Sequence, residues 1–126
     1  MRPNTVFLAG GVLGLAFGLS FLLVPATVLP FYGLSVDPAT VLMSRFFGVA
    51  LLQLGLVLYL LRDVRESASQ RALTTAGVVG SATGLTVALM GVLAGLVNSL
   101  GWSTVVIYGA LLLGYLTCMR ARTAVA

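Results

Sequence analysis

Residues 72–119 read ALTTAGVVGSATGLTVALMGVLAGLVNSLGWSTVVIYGALLLGYLTCM and carry no charged side chain. The hydrocarbon core of a bilayer is about 30 Å thick, and a helix of ~20 apolar residues crosses it. This stretch is therefore long enough to cross twice, with a turn at residues 98–101, NSLG. Residues 3–36 and 46–61 are also free of charge. The second stretch belongs to a longer apolar segment that begins before Arg45 and is interrupted by it. The chain thus predicts four membrane spans.

The predicted fold class is all-α, a four-transmembrane-helix bundle that makes residues 1–126 a single integral membrane domain. Hydrophobic residues make up 60% of the chain and charged residues 8%, which leaves no segment for a soluble domain. Asp37 is placed to cap the second helix and Pro38 suits its first position, while residues 67–70, SASQ, form a capping-box pattern. The predicted spans cover residues 5–24, 38–61, 68–97 and 103–119.

A weak repeat relates the two halves of the chain. Residues 11–20, GVLGLAFGLS, align with residues 77–86, GVVGSATGLT, and share their glycines. Chance matches are common in a chain so rich in Gly, Ala, Leu and Val. Two interpretations therefore stay open, a single bundle or two tandem helical hairpins that enter from the same side of the membrane.

Arginines predict the orientation of the chain. If the chain crosses four times, only Arg45 lies toward one membrane face, while the other arginines share the opposite face. The positive-inside rule then predicts cytoplasmic termini in a multi-pass protein of the bacterial inner (cytoplasmic) membrane. The arginines form no patch interleaved with aromatic residues, so we expect no nucleic-acid partner. The residues that share the cytoplasmic face are Arg2, Arg62, Arg65, Arg71, Arg120 and Arg122.

Few side chains in this sequence could carry chemistry. There is no histidine, and the single Cys118 forms neither an internal disulfide nor a metal site. The three acids, Asp37, Asp63 and Glu66, lie in loops or at helix ends, so no carboxylate is placed for proton-coupled transport. We therefore expect no catalytic residue, no metal site and no cofactor, and a protein that is not an enzyme.

Glycines recur at spacings of four and seven along the predicted helices. Small residues let membrane helices approach closely, which favours their association where the hydrophobic effect contributes little. Two uses of these faces stay open, packing within the bundle or contact with a partner or a second copy. The predicted helix-packing residues are Gly10, Gly14, Gly18, Gly48, Gly55, Gly77, Gly84 and Gly91.

Arg45 and Gln53 are the polar residues inside the second span. Arg45 lies about 10 Å below the start of its helix at 1.5 Å per residue, and a buried cation there is costly. It is either a snorkelling structural residue or an anchor for a lipid phosphate, a substrate carboxylate or an acidic group of a partner. Gln53 is expected to pair with hydroxyl groups of the third span, at Ser81, Thr83 or Thr86.

Five short segments covering most of the chain form a recognisable layout: FLLVP at 21–25, FYGLS at 31–35, SRFFG at 44–48, LRD at 61–63 and VNSLGW at 97–102. This layout resembles the small, uncharacterised four-helix membrane proteins of bacteria loosely grouped as DoxX-like. The resemblance implies a fold, and it implies no general chemistry because the group has none assigned.

The sequence leaves three functions open. The first is a non-enzymatic accessory or interaction subunit, and the second is a small-solute or anion channel formed by oligomerisation around Arg45 and Gln53. A pore needs a continuous polar face, which these two residues alone do not provide. The third is a lipid-binding or apolar-ligand-binding protein. Expected partners are membrane lipids, copies of the chain or a larger membrane complex, and Tyr32 and Trp102 are expected to anchor the chain at the membrane interfaces.

Overall fold

The computed structural model describes residues 2–125 and the side chains of residues 2–121, so the Arg122 side chain lies outside the described residues. The predicted all-α fold is confirmed, and no strand occurs among residues 2–125. Four helices are each long and apolar enough to cross a membrane. The elements are α1 (Pro3–Leu23), α2 (Pro25–Val28), a 3-10 turn (Leu29–Tyr32), α3 (Pro38–Leu60), α4 (Ser67–Leu93) and α5 (Gly101–Val125).

The start of α3 follows its sequence signal. The Thr40 backbone N–H donates a 2.9 Å hydrogen bond to Oδ1 of Asp37, and Pro38 occupies the first turn. At α4, two side chains of the capping-box segment bond residues that precede the helix. The Ser69 hydroxyl donates to Oε2 of Glu66 at 2.6 Å, and Nε2 of Gln70 donates to the carbonyl of Val64 at 2.6 Å. The pattern therefore marks where α4 begins, although its side chains hold the preceding turn.

The end of α4 differs from the prediction, because the helix stops at Leu93 rather than at residue 97. Gly95 adopts a left-handed backbone with φ +70°, and its N–H donates to the Val92 carbonyl at 3.1 Å. The N–H of Leu96 donates to the Gly91 carbonyl at 3.0 Å. These two bonds form a Schellman motif, which satisfies the last carbonyls of the helix and depends on glycine.

The start of α5 also differs from the prediction. The helix begins at Gly101 rather than at residue 103. The Ser103 hydroxyl donates to the Leu100 carbonyl at 2.6 Å, so Ser103 lies inside the first turn and is not the cap. Residues 94–100 therefore form the whole connection between α4 and α5.

The spans form two antiparallel hairpins. α1 packs along α3 in the first hairpin and α4 along α5 in the second, whereas helices of different hairpins approach each other at few points, chiefly between α1 and α5. We call the side with residues 24–37 and 94–100 the loop end and the opposite side, with residues 61–66, the termini end. The two-hairpin interpretation of the repeat matches this arrangement.

Glycines bring the two backbones of the first hairpin into contact. A Cβ atom added to Gly14 would lie 2.7 Å from Cα of Gly55, and one added to Gly55 would lie 2.5 Å from the backbone nitrogen of Leu15. Gly18 and Gly48 approach each other's helices in the same way. No side chain fits at these positions, so the seam between α1 and α3 is made of main chain.

Glycines in the second hairpin serve a different purpose, because they accommodate tyrosine rings. A Cβ atom added to Gly77 would lie 2.5 Å from the ring of Tyr115, and one added to Gly84 would overlap the ring of Tyr108. Gly91, however, does not contribute to helix packing, because a Cβ atom there would meet no atom within 4 Å.

Gly10 is buried between helices as predicted, but it lies beside the side chains of Leu58 and Tyr115 rather than in the glycine seam. Its neighbours belong to the hydrophobic core, which occupies the termini end and joins the two hairpins. The ring centroids of Phe7 and Tyr115 are 6.3 Å apart within it. The buried residues of this core are Val6, Phe7, Leu58, Tyr115 and Cys118.

Candidate functional site

Asn98 joins the two hairpins at the loop end. Its Nδ2 donates to the Phe31 carbonyl at 2.9 Å, and its backbone N–H donates to the Tyr32 carbonyl at 3.0 Å. Its Oδ1 accepts from the Leu100 N–H at 3.1 Å, which fixes the side chain. Gly33, with φ +73°, turns the opposing loop, and a Cβ atom added there would lie 3.4 Å from Cβ of Asn98. The hairpins are therefore joined at both ends, by the core and by this loop contact.

Between these two ends the hairpins separate around a cavity of about 350 Å³. All four spans contribute to its wall, which consists mainly of leucine, phenylalanine and glycine. Phe47 and Leu54 of α3 line the cavity and are 46% and 54% exposed, so the cavity is open beside α3. Ligand sites in proteins are commonly apolar clefts of a few hundred Å³ with a small number of polar groups.

The polar groups of the cavity are hydroxyls, supplied by Tyr32, Ser81, Thr104, Tyr108 and Tyr115. Ser81 is 5% exposed and Tyr115 is 3% exposed. Among the described residues, no hydrogen bond engages the hydroxyls of Ser81, Thr104, Tyr108 or Tyr115. No side-chain oxygen or nitrogen of the described residues is both fully buried and without a partner, so these hydroxyl oxygens are open to the cavity. The cavity thus presents donors that nothing in the fold uses.

Aromatic rings form the loop end of the cavity. The Phe21 ring lies 6.4 Å from that of Tyr32 in a stacked arrangement and 5.2 Å from that of Phe47, edge to face. Tyr32, expected at the membrane interface, is half-buried and lines the cavity. Trp102 lies in the first turn of α5 and is 47% exposed. Both residues occupy the level of the loop end, and their role as interface anchors stays a prediction.

Arg45 lies outside the cavity. It occupies the second turn of α3, on the exposed surface. Within the described part of the chain its side chain has no ion pair and no hydrogen bond. The carboxylate nearest to it along the chain, Asp37, is instead engaged by Thr40 and Ser35. An unpaired guanidinium at this depth remains available to an anionic group from outside the chain.

Gln53 does not face the hydroxyls of α4, so the expected pairing is wrong. Its side chain is exposed, while Ser81 lines the cavity on the other side of α3. The hydroxyls of Thr83 and Thr86 donate to carbonyls of their own helix, at Val79 and Ala82. Gln53 and Arg45 therefore belong to an outer face of α3 and not to a shared polar site within the bundle.

Hydrogen bonds at the loop end lower the pKa of Asp37. The Thr40 hydroxyl and backbone N–H and the Ser35 hydroxyl all donate to its carboxylate, and they lower its pKa from 3.8 to about 2. No group of three or more metal-binding side chains occurs among the described residues. Fixed charge is therefore confined to the two ends and to Arg45, and the cavity itself contains none.

Part of the cavity could have been recognised from the sequence. Tyr108 and Tyr115 are seven residues apart on one face of α5, and Gly77 and Gly84 have the same spacing on α4. Matched spacings on adjacent antiparallel helices indicate rings packed over glycines. No pattern in the sequence indicates that Ser81 lines the same cavity as these tyrosines, because that depends on how the hairpins separate.

Comparisons with protein-family models, with curated proteins and with solved structures found no match. The resemblance to DoxX-like proteins therefore stays a prediction, and the geometry of the chain alone supports the function proposed below.

Proposed function

We propose that this multi-pass membrane protein binds an elongated apolar molecule in the cavity between its two hairpins. The observation that carries the proposal is an apolar cavity lined by the largely buried residues Ser81 and Tyr115, whose hydroxyls no hydrogen bond engages in the described structure. A hydroxyl that faces an apolar space costs free energy for as long as it has no hydrogen-bond partner. A ligand that accepts hydrogen bonds from these groups would offset this cost.

The lining indicates the chemistry of the ligand. The wall contains no charged side chain, so the bound part of the ligand is uncharged. Hydroxyls at Ser81, Tyr108 and Tyr115 can donate to a carbonyl, ester or ether oxygen. An acyl or isoprenoid chain with such an oxygen fits both features, and the opening beside α3 allows it to arrive from the membrane.

A pair of leucine substitutions on α4 tests the proposal. Gly80 lines the cavity and Gly91 does not, yet a Cβ atom at either position would meet no atom within 4 Å. Gly80→Leu should fill the cavity and abolish ligand retention, whereas Gly91→Leu should retain the ligand. Both changes replace a helical glycine and should stabilise α4 similarly. Native mass spectrometry after gentle detergent extraction measures the bound species.

Hydroxyl-deleting substitutions form the second arm of the experiment. Tyr115→Phe and Ser81→Ala keep the cavity apolar and remove one donor each, so retention should fall about fivefold for a lost hydrogen bond of ~1 kcal/mol. Tyr59→Phe is the matched control, because the Tyr59 ring does not line the cavity and lies 4.3 Å from the Arg62 guanidinium carbon. Equal ligand retention by Gly80→Leu and the parent protein would refute the proposal.

A second candidate function, the interaction subunit, is favoured by the exposed polar side chain of Gln53 inside a membrane span. An unpaired amide in that position suits a protein partner. A channel through one copy has less support, because the cavity wall is apolar apart from a few hydroxyls. The amide of Gln53 also lies on the outer face of α3, away from any path through the cavity.

For orientation, we propose a bacterial inner membrane with both termini in the cytoplasm. Arg2 precedes α1, Arg62 and Arg65 lie between α3 and α4, and Arg120 lies near the end of α5, so all belong to the termini end. Arg45 belongs to the loop end. The support is this one-sided distribution. A cysteine introduced at residue 124 of a Cys118-free chain should resist impermeant labels in intact cells, and its labelling from outside would reverse the assignment.

A further inference from the structure

The outer face of α3 carries a continuous seam with alternating steps of three and four residues. Its members are all exposed in the described structure, with Phe46 at 62%, Val49 at 48%, Leu56 at 46% and Leu60 at 65%, and Gln53 lies at their centre. Residues with this spacing lie on a single stripe of a helix, and the stripe can pack against the same stripe of a second helix. This stripe neither packs against α1 nor lines the cavity, because other faces of α3 make those contacts.

Gln53 makes this seam different from an ordinary lipid-facing surface. It lies roughly 10 Å inside the termini end of α3 at 1.5 Å per residue. In the described part of the chain its amide has no hydrogen-bond partner. Lipid tails offer neither a donor nor an acceptor, so the amide needs a protein partner at the same depth.

A second copy of the chain has the groups that such a partner needs. A glutamine amide contains both a donor and an acceptor, so two of them can form a reciprocal pair. Copies inserted with the same topology place Gln53 at the same depth and in the same direction, and a two-fold axis along the membrane normal brings them together. A single polar residue within an apolar seam fixes register and oligomeric state in coiled coils.

Arg45 is compatible with this arrangement. It lies eight residues from Gln53, which places it about 12 Å nearer the loop end and about 80° around the helix. Arg45 therefore flanks the seam rather than belonging to it. In a parallel pair of helices with this spacing, the residue of the opposite copy that comes closest to Arg45 is the small Ala50. The two guanidinium groups are thus not forced against each other.

We propose that the protein forms a parallel homodimer through the outer face of α3, with the two Gln53 amides hydrogen-bonded across the dimer axis. The cavity-lining residues Leu51, Leu54 and Leu58 lie on another side of the helix. Dimerisation and ligand binding therefore use separate surfaces, and either proposal can fail alone.

Resonance energy transfer between labelled copies in vesicles, at varied protein-to-lipid ratios, measures the dimer dissociation constant. Gln53→Leu should raise it about tenfold, from the loss of two interhelical hydrogen bonds of typical strength. Thr83→Val is the matched control, because Thr83 is exposed on α4 and bonds only its own helix. It should leave the dissociation constant unchanged.

Oxidative cross-linking tests the seam with Gln53 intact. In a Cys118→Ala chain, Val49→Cys and Leu56→Cys should each give a disulfide-linked dimer. Val87→Cys, 69% exposed on α4, should not. Equal dimerisation by Gln53→Leu and the parent protein, equal cross-linking at residue 87, a chain that is monomeric at every density, or association only with a different protein would each overturn the proposal.

Discussion

The glycine seam of the first hairpin predicts opposite effects for the same substitution at two glycines. Gly55→Ala places a methyl group 2.5 Å from the Leu15 nitrogen and 2.7 Å from the Gly14 carbonyl carbon, and both are main-chain atoms that cannot move aside alone. Gly91→Ala places it in open space. Each change also raises helix propensity by about 1 kcal/mol, so the difference between the variants isolates the packing term.

The magnitude follows from the forced separation of α1 and α3. Overpacking of a well-packed contact costs ~1–3 kcal/mol, so Gly55→Ala should be neutral or lower the free energy of unfolding by up to about 2 kcal/mol. Gly91→Ala should instead raise it by about 1 kcal/mol. The two variants should therefore differ by ~1–3 kcal/mol.

Unfolding by sodium dodecyl sulfate in mixed micelles, followed by circular dichroism, gives both free energies under one set of conditions. Gly14→Leu, a larger intrusion on the facing helix, should exceed Gly55→Ala in its effect. Equal stabilisation of the protein by Gly55→Ala and Gly91→Ala would show that the main chains of α1 and α3 are not in close contact at Gly55.

Three further predictions concern the loop end. Asn98→Ala should lower the free energy of unfolding by only about 1 kcal/mol, because water can replace Asn98 as the donor to the exposed Phe31 carbonyl. Hydrogen exchange in residues 31–34 should accelerate. Unchanged exchange would argue against Asn98 as the link between the hairpins. Arg45→Lys should weaken retention of anionic lipid, since a guanidinium binds phosphate bidentately and an ammonium does not, and Arg45→Leu should abolish it. Native mass spectrometry measures the bound lipid. If it finds the same lipid in both variants as in the parent protein, Arg45 is only a snorkelling residue. The pKa of Asp37 is lowered from 3.8 to about 2, so the contribution of this carboxylate to stability is complete above pH ~4 and disappears as the pH falls from about 4 to 2. Thermal unfolding of Asp37→Ala should lack this pH dependence. A parallel decline in the stability of both proteins would contradict the prediction.

Local signals in the sequence were sufficient to place the spans, although they placed some helix ends inaccurately. Asp37 and Pro38 mark the start of α3 because a cap and a fixed φ act within one turn. Gly95 was harder to identify as the end of α4, since Gly77, Gly80 and Gly84 on the same helix could equally have adopted a left-handed backbone. Which glycine does so depends on the connection to α5, which is a tertiary property.

The direction in which each helix faces could not be predicted. In a soluble helix the polar face identifies the side that meets water, but these spans are apolar around almost the whole circumference. Gln53 was expected to face Ser81 because both are polar and inside spans. The main-chain seam of Gly14 and Gly55 instead fixes the rotation of α3, and that rotation carries Gln53 outward.

The division into two self-contained hairpins has a consequence for biosynthesis. All partners of the glycine seam lie before residue 61, so α1 and α3 can lock together while the ribosome is still translating α4. The second hairpin closes later, when Tyr108 and Tyr115 reach Gly84 and Gly77. Asn98 can then meet the loop already formed at residues 31–32, and the space between the hairpins comes into being only as the last segment is inserted.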